Sequence, residues 1–168
     1  AFQLMVKMGN MDIMALMANT TNRIAEGEVL QLERAGKPDT TEDAYYRIIE
    51  QKTAVLFEAA TQGAAILANC DLPTQQAAKA YGHHLGMAFQ LIDDVLDYTG
   101  DATAMGKNVG DDLNEGKATL PLIYAMKHGS ALQKQLIHHA IESKSSANIA
   151  AIINAVNDTG ALEYTKDQ

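Results

Sequence analysis

Only three prolines interrupt 168 residues, and the stretches between them are dominated by Ala, Leu, Ile, Met, Gln and Glu. Such residues lose little side-chain freedom in a helix, and no stretch alternates polar with apolar residues as a half-buried strand would. The chain is therefore expected to be all-α. A first long helix is predicted from about Met11 to Glu33, ended by Gly36 and Pro38 in RAGKPD. The next is predicted from near Asp39, where Asp39 and Glu42 stand at N-cap and N3 spacing, to about Asn69. Pro73 suits the first turn of a third helix that ends at the Tyr98 to Gly100 step. A loop rich in glycine and acid is expected from Asp101 to Lys117. Shorter helices then cover about Pro121 to His128, Leu132 to Glu142, Ala147 to Asn157 and the frayed end.

A chain of this length with 47% hydrophobic residues can bury one real core, so a single helical domain is expected. Thirteen Lys and Arg against 21 Asp and Glu leave a formal charge of -8, which argues against a broad nucleic-acid footprint. An anionic ligand must therefore arrive with cations. No basic stretch followed by an apolar one opens the chain, and no run of about 18 apolar residues offers a membrane span. Cys70 is the single cysteine and cannot close an intramolecular disulfide, so a cytoplasmic location is expected. The chain begins on AFQLMVKM, which already reads as the inside of a helix, and stops on EYTKDQ without a closing signal; these ends read as those of a fragment.

The stretch FQLIDDVLDY, residues 89 to 98, carries three aspartates in an apolar setting. At 100° per residue Asp93, Asp97 and Asp94 fall at about 0°, 40° and 100°, with Gly86 and Gln90 on the same arc. Leu85, Phe89, Ile92 and Leu96 occupy the adjoining side and Leu91 and Val95 the far side, so the acids are expected to face an internal cavity. Three close carboxylates repel one another when ionised, and a divalent cation relieves that repulsion. An all-oxygen set favours Mg²⁺ or Ca²⁺ over zinc. A solvated acidic face is the plain alternative, but from Asp93 to Glu115 seven acids stand against the single base Lys107, an imbalance that calls for a counterion. An EF-hand starting at Asp101 would put Met105 at its fifth position, and the ligand spacing fails.

Magnesium held by carboxylates commonly keeps positions for water and substrate phosphates, so lysines able to grip such phosphates matter. Lys107 in MGKN and Lys117 in EGKAT lie beside glycines that let backbone approach an anion. Lys52 sits in mid-helix in EQKTAVLF, on a face shared with Tyr45, Leu56, Ala59 and Gly63, where snorkelling to the surface is the bland alternative. Below it Ala59, Ala60, Gly63, Ala64 and Ala65 are small, which suits either close helix packing or a slot for an apolar tail. The pairs His83-His84 and His138-His139 are adjacent residues without a histidine three or four positions away, and are read as surface or packing residues. Met5, Met8, Met11, Met14 and Met17 form a stripe read as core or subunit interface.

EGEVLQL at Glu26 to Leu32, KT at Lys52 and Thr53, FQLIDDVLD and GKNVGDDLNEGKATLPL follow one another in an order and spacing that resembles the bacterial trans-isoprenyl (polyprenyl) diphosphate synthases, in particular the octaprenyl type. The resemblance covers essentially the whole chain. It implies an all-α isoprenoid synthase-type bundle around a deep cavity, usually homodimeric, that joins an allylic prenyl diphosphate to isopentenyl diphosphate with Mg²⁺. It matches Asp93, Asp94 and Asp97 to the second of the family's two aspartate-rich metal segments, with Asp93 the direct ligand and Asp94 and Asp97 acting more often through water. Lys52 and Lys107 match lysines that hold the allylic diphosphate, Lys117 a nearby basic position, Thr53 and Gln90 polar cavity residues, and Phe89 a residue flanking the isopentenyl chain. A long product of octaprenyl length is implied.

The departures from that pattern matter equally. The family's first aspartate segment, DDxxD on an earlier helix, is absent, as is its basic Gly-Gly-Lys-Arg region for isopentenyl diphosphate. The 168 residues resemble the family's middle and C-terminal part, and alone they are expected to be inactive. A short-chain farnesyl or geranylgeranyl synthase shares the chemistry, and a non-catalytic diphosphate-binding subunit of a heteromeric synthase is the reading from another class.

Overall fold

The structure is a computed structural model, and it describes residues 2 to 99 and 109 to 168. Among these residues there is helix and no strand, as the scarcity of breakers implies. In chain order the helices are α1 (Phe2–Met8), α2 (Met11–Arg34) and α3 (Glu42–Ile49), then a π-helical segment (Glu50–Ala54) running into α4 (Val55–Leu67). They continue with α5 (Leu72–Thr99), α6 (Asp111–Asn114), α7 (Leu120–His128), α8 (Ala131–Ser143), α9 (Ile149–Asp158) and α10 (Ala161–Lys166). No helix is long and apolar enough to cross a membrane among the described residues.

Most predicted boundaries stand within two residues, and three expectations need correction. The cap of α3 is Thr41 and not Asp39: the Thr41 hydroxyl accepts the N–H of Ala44 at 3.2 Å. The predicted second helix is not uniform, because EQKTA makes a π turn in its middle. The acidic loop contains the short helix α6, whereas the end of the chain is helical as expected, as α10. Asp71 caps α5, accepting the Thr74 N–H at 3.0 Å, with Pro73 in the first turn as expected.

Two compact units compose the chain: Ala1–Val29 with Arg47–Ala88, and Leu30–Tyr46 with Phe89–Gln168. The first joins α1, most of α2, the π segment, α4 and the first part of α5. Its core is built from small residues, with Ala54, Val55, Ala59 and Ala65 buried beside Ile13 and Ile49. Small side chains let helix backbones approach closely, and this is the packing reading of the alanine and glycine run after Lys52. The second unit carries the larger apolar core. Leu113, Leu120, Leu122, Ile137, Ile141, Ile152 and Val156 are fully buried there, over the helices α6 to α9. Ser130 and Gln133 form a capping box that starts α8.

Candidate functional site

The second unit holds the aspartate segment of α5. Asp94 is 2% exposed, although a free aspartate buried to that depth would be strongly disfavoured. Two neutral donors make it tolerable: the Tyr45 hydroxyl donates to Oδ2 at 2.6 Å and the Gln90 amide donates to Oδ1 at 2.8 Å. Burial still pushes the Asp94 carboxyl up. The Tyr45 hydrogen bond pulls it down, the charge of Asp112 raises it, and Gln90 and Asp93 add smaller effects of opposite sign, leaving it at about 7. The same burial, with the Asp94 carboxylate beside it, raises the Tyr45 hydroxyl far above its ordinary value.

Asp97 is placed differently. Its Oδ2 is buried and has no hydrogen-bond partner among the described residues. Burial and the charge of Asp112 push the carboxyl up, backbone N–H groups of Asp112 and Asp111 at the start of α6 pull it down, and the result is about 6. Gly110, at φ 84°, turns the chain into α6 and donates its N–H to the Asp97 carbonyl at 3.2 Å. Asp93 is half-buried. An orphaned buried carboxylate oxygen on one line of α5 with Asp93, facing the acids of α6, is a donor set that suits a hard divalent cation.

Lys117 is not a free cation in this arrangement. Its Nζ lies 2.8 Å from Asp112 Oδ1 and 3.0 Å from Glu115 Oε2. Burial works against its charge, but the hydrogen bond and charge of Asp112, then those of Glu115, outweigh this and raise it above the ordinary lysine value. The loop before α3 braces the segment, with the Gly36 N–H donating to the Gly116 carbonyl at 2.8 Å. Lys107 lies outside the described residues. Phe89 is more than half exposed, and Leu85 and Ile92 are exposed too, so the apolar side of α5 expected to be covered is open, whereas Leu91 and Val95 opposite are buried.

The first unit carries Lys52 and Thr53, and it places both in the π segment. A π turn holds one extra residue, so α-helical counting through it loses register. Leu56, assigned to the face of Lys52 and Ala59, is half exposed while Ala59 is buried. Lys52 does not simply snorkel: its Nζ pairs with Glu28 Oε2 at 2.8 Å. Glu28 belongs to EGEVLQL, so two of the sequence segments meet here. Gly27 makes the meeting possible, since a β-carbon on it would stand 2.7 Å from the Lys52 backbone nitrogen. Gly86 does the same from α5, where a β-carbon would lie 2.6 Å from the Ala54 Cα.

Sequence spacing missed a second charged cluster in this unit. Glu58, whose side chain is 6% exposed, receives Arg23 at 3.2 Å, His83 at 2.9 Å and Lys79 at 3.8 Å, and Arg23 also reaches Glu50 at 3.2 Å. His83 is therefore a hydrogen-bonding partner of Glu58 rather than a plain surface residue. The carboxylates of Glu50 and Glu58 and the His83 ring nitrogen lie within 4.8 Å of one another. Arg23 already occupies both carboxylates, which leaves a cation little to gain there. A cleft of about 560 Å³ adjoins the cluster, lined by Asn19, Arg23, Glu26, Gln62 and Lys79 among others. A glutamate inside VLFEAA, flanked by apolar residues, was the available signal.

The described residues thus form an all-helical protein with a line of carboxylates on α5. The profile of the polyprenyl synthetase family matches residues 1 to 158, and the chain belongs to that family. It is 49% identical over its whole length to the octaprenyl diphosphate synthase of Escherichia coli K12, covering 52% of that protein. It is 48% identical to an all-trans-nonaprenyl-diphosphate synthase (geranyl-diphosphate specific) of Rhodobacter capsulatus, covering 98% of this chain and 50% of the relative. Among solved structures, a polyprenyl synthase from Caulobacter crescentus complexed with calcium and isoprenyl diphosphate superposes with a TM-score of 0.94 at 40% identity, over 99% of this chain and 51% of that one. The chain thus spans about half the length of the curated relatives it matches.

Proposed function

We propose that this chain supplies the allylic-diphosphate side of a trans-prenyltransferase that condenses an allylic prenyl diphosphate with isopentenyl diphosphate and builds a long-chain polyprenyl diphosphate of octaprenyl length. The observation that carries this reading is Asp97 Oδ2, buried and without a hydrogen-bond partner among the described residues, on the same line of α5 as Asp93. Asp93 and Asp97 are assigned as the residues that hold Mg²⁺, with Asp94 behind them. Bound Mg²⁺ supplies positive charge against the departing diphosphate.

Lys52, Thr53 and Lys107 are assigned to the allylic diphosphate, with Lys117 a nearby positive charge that is shared with Asp112 and Glu115. Phe89 and Gln90 are assigned to the isopentenyl chain and the polar cavity wall. Cations over the diphosphate stabilise the charge that builds as its bond to the allylic carbon breaks. The isopentenyl double bond then attacks that carbon, and the released diphosphate accepts the proton, so the step calls for no protein nucleophile or base. The similarity to octaprenyl and nonaprenyl synthases supports a long product. Exposed Met8 and Met11, with Leu4 and Val6, support self-association into a homodimer, and a cytoplasmic location is expected. Elongation needs a first aspartate segment and an isopentenyl site that these residues do not contain, so turnover is expected only beside the other half of a synthase.

Titration calorimetry of the chain with farnesyl diphosphate, with and without Mg²⁺, tests the reading against an Asp93→Ala, Asp97→Ala variant. Binding that needs both the metal and the aspartates is expected. Binding indifferent to either would overturn it.

A further inference from the structure

We propose that Tyr45 is a positioning residue of the metal segment: it holds Asp94 inside the protein as a brace, and through Asp94 it sets where Asp93 and Asp97 point. The inference rests on the reading of Asp93 and Asp97 as the metal-holding pair. Three adjacent acids look equivalent in the sequence, but the structure separates them. Asp94 has both oxygens on neutral donors, Tyr45 at 2.6 Å and Gln90 at 2.8 Å, whereas Asp97 keeps a buried oxygen with none among the described residues. Tyr45 is itself 4% exposed and carries Tyr46 edge-on at 5.5 Å, so its hydroxyl has little freedom to leave.

The geometry of α5 gives this contact its consequence. Asp93 and Asp97 lie about 40° apart around the helix, and Asp94 lies about 60° from Asp97 and 100° from Asp93. Tying Asp94 to a rigid phenol from α3 therefore fixes the rotation of α5 about its own axis. That rotation sets where the Asp93 and Asp97 oxygens point. Groups behind metal ligands that hold them in orientation commonly matter to affinity nearly as much as the ligands.

The test is Mn²⁺ affinity of the 168-residue chain, followed by the electron paramagnetic resonance of the free ion, with the folded fraction of each variant checked by circular dichroism. Asp94→Asn can still accept from Tyr45, and with the Gln90 amide turned it can donate to Gln90, so both contacts survive. It is expected to bind within about three-fold of the wild type, while Tyr45→Phe, which removes the brace, weakens binding by about ten-fold. Adding Tyr45→Phe to Asp94→Ala should change nothing further, because the two residues act as one unit. A direct-ligand role for Asp94 reverses the order, with Asp94→Asn losing most of the affinity and Tyr45→Phe little, and that result overturns the inference while leaving the functional reading intact. Lower thermal stability in Tyr45→Phe at unchanged Mn²⁺ affinity also overturns it, since the contact would then be structural only. A wild-type chain that binds no Mn²⁺ overturns the functional reading and this inference with it.

Discussion

Gly27 of α2 presses on Lys52 of the π segment so closely that a β-carbon would stand 2.7 Å from the lysine's backbone nitrogen and 2.9 Å from the Gln51 Cβ. The contact is backbone on backbone, and nothing flexible stands between to give way. It places Glu28, the next residue, at 2.8 Å from the Lys52 ammonium.

Gly27→Ala tests that approach through the sign of its effect. At an open helical position the change stabilises by about 1 kcal/mol, from intrinsic propensity. Here overpacking against the π segment is expected to win and destabilise by about 1–3 kcal/mol. Urea unfolding of the two chains measures the difference, and a gain in stability would show that the helices are free to separate.

Glu58→Ala removes the one buried carboxylate that Arg23, Lys79 and His83 share. Breaking a buried pair from one side costs about 3–5 kcal/mol when the orphaned charge stays buried. Arg23 and Lys79 are a third or more exposed and recover some water, so a loss of about 2–3 kcal/mol is expected. Thermal unfolding at low and high salt measures it, and a loss below about 0.5 kcal/mol would mean that the cluster contributes only what surface pairs do.

Without metal, stability should fall as the pH rises from about 4 to about 7. Asp97 is raised to about 6 and Asp94 to about 7, so the folded chain holds these protons more tightly than the unfolded one. Their contribution is present in full below the unfolded value of about 4 and is lost as pH climbs through the folded values. Melting temperature against pH in a chelator measures the slope. Added Mg²⁺ should recover stability mostly above pH 6, where Asp97 is ionised and can hold it.

Lys117→Met leaves Asp112 without its 2.8 Å partner and Glu115 without its 3.0 Å one. Because both the lysine and Asp112 are mostly buried while Glu115 is exposed, a loss of about 1–2 kcal/mol is expected, between the exposed and buried limits. Asp112 is also a charge that raises Asp97, so the Asp97 carboxyl should move further up in the variant. Urea unfolding and carboxyl titration by nuclear magnetic resonance read the two effects separately. An unmoved Asp97 would show that Lys117 does not moderate the Asp112 charge.

Several features were legible because they depend on short-range sequence. Helix spans follow from propensity and from Gly36, Pro38 and Pro73, which act within a turn of where they stand. The common line of Asp93 and Asp97 follows from helical periodicity alone. Where periodicity was carried through EQKTA it failed, because the close approaches of Gly27 and Gly86 accompany a π turn whose extra residue no local pattern announces. The choice of Thr41 over Asp39 as cap is likewise a choice between two local options that the surrounding chain makes. His83 was set aside for want of a histidine at helical spacing. Its partner, Glu58, is 25 residues away in sequence.

The sequence by itself determined an all-helical chain, the aspartate line on α5, the basic residues beside glycines and, through four ordered segments, the polyprenyl synthetase family. These are properties of composition, period and spacing, which do not depend on what packs against them. Tertiary structure alone decided which carboxylate is which. Asp94 faces Tyr45 from 49 residues away and is sealed, Asp97 keeps an oxygen with no donor among the described residues, Lys117 is held by two acids and Lys52 by Glu28. Burial and hydrogen-bond partners set the energy of a charge, and both come from residues that only the folded chain brings near.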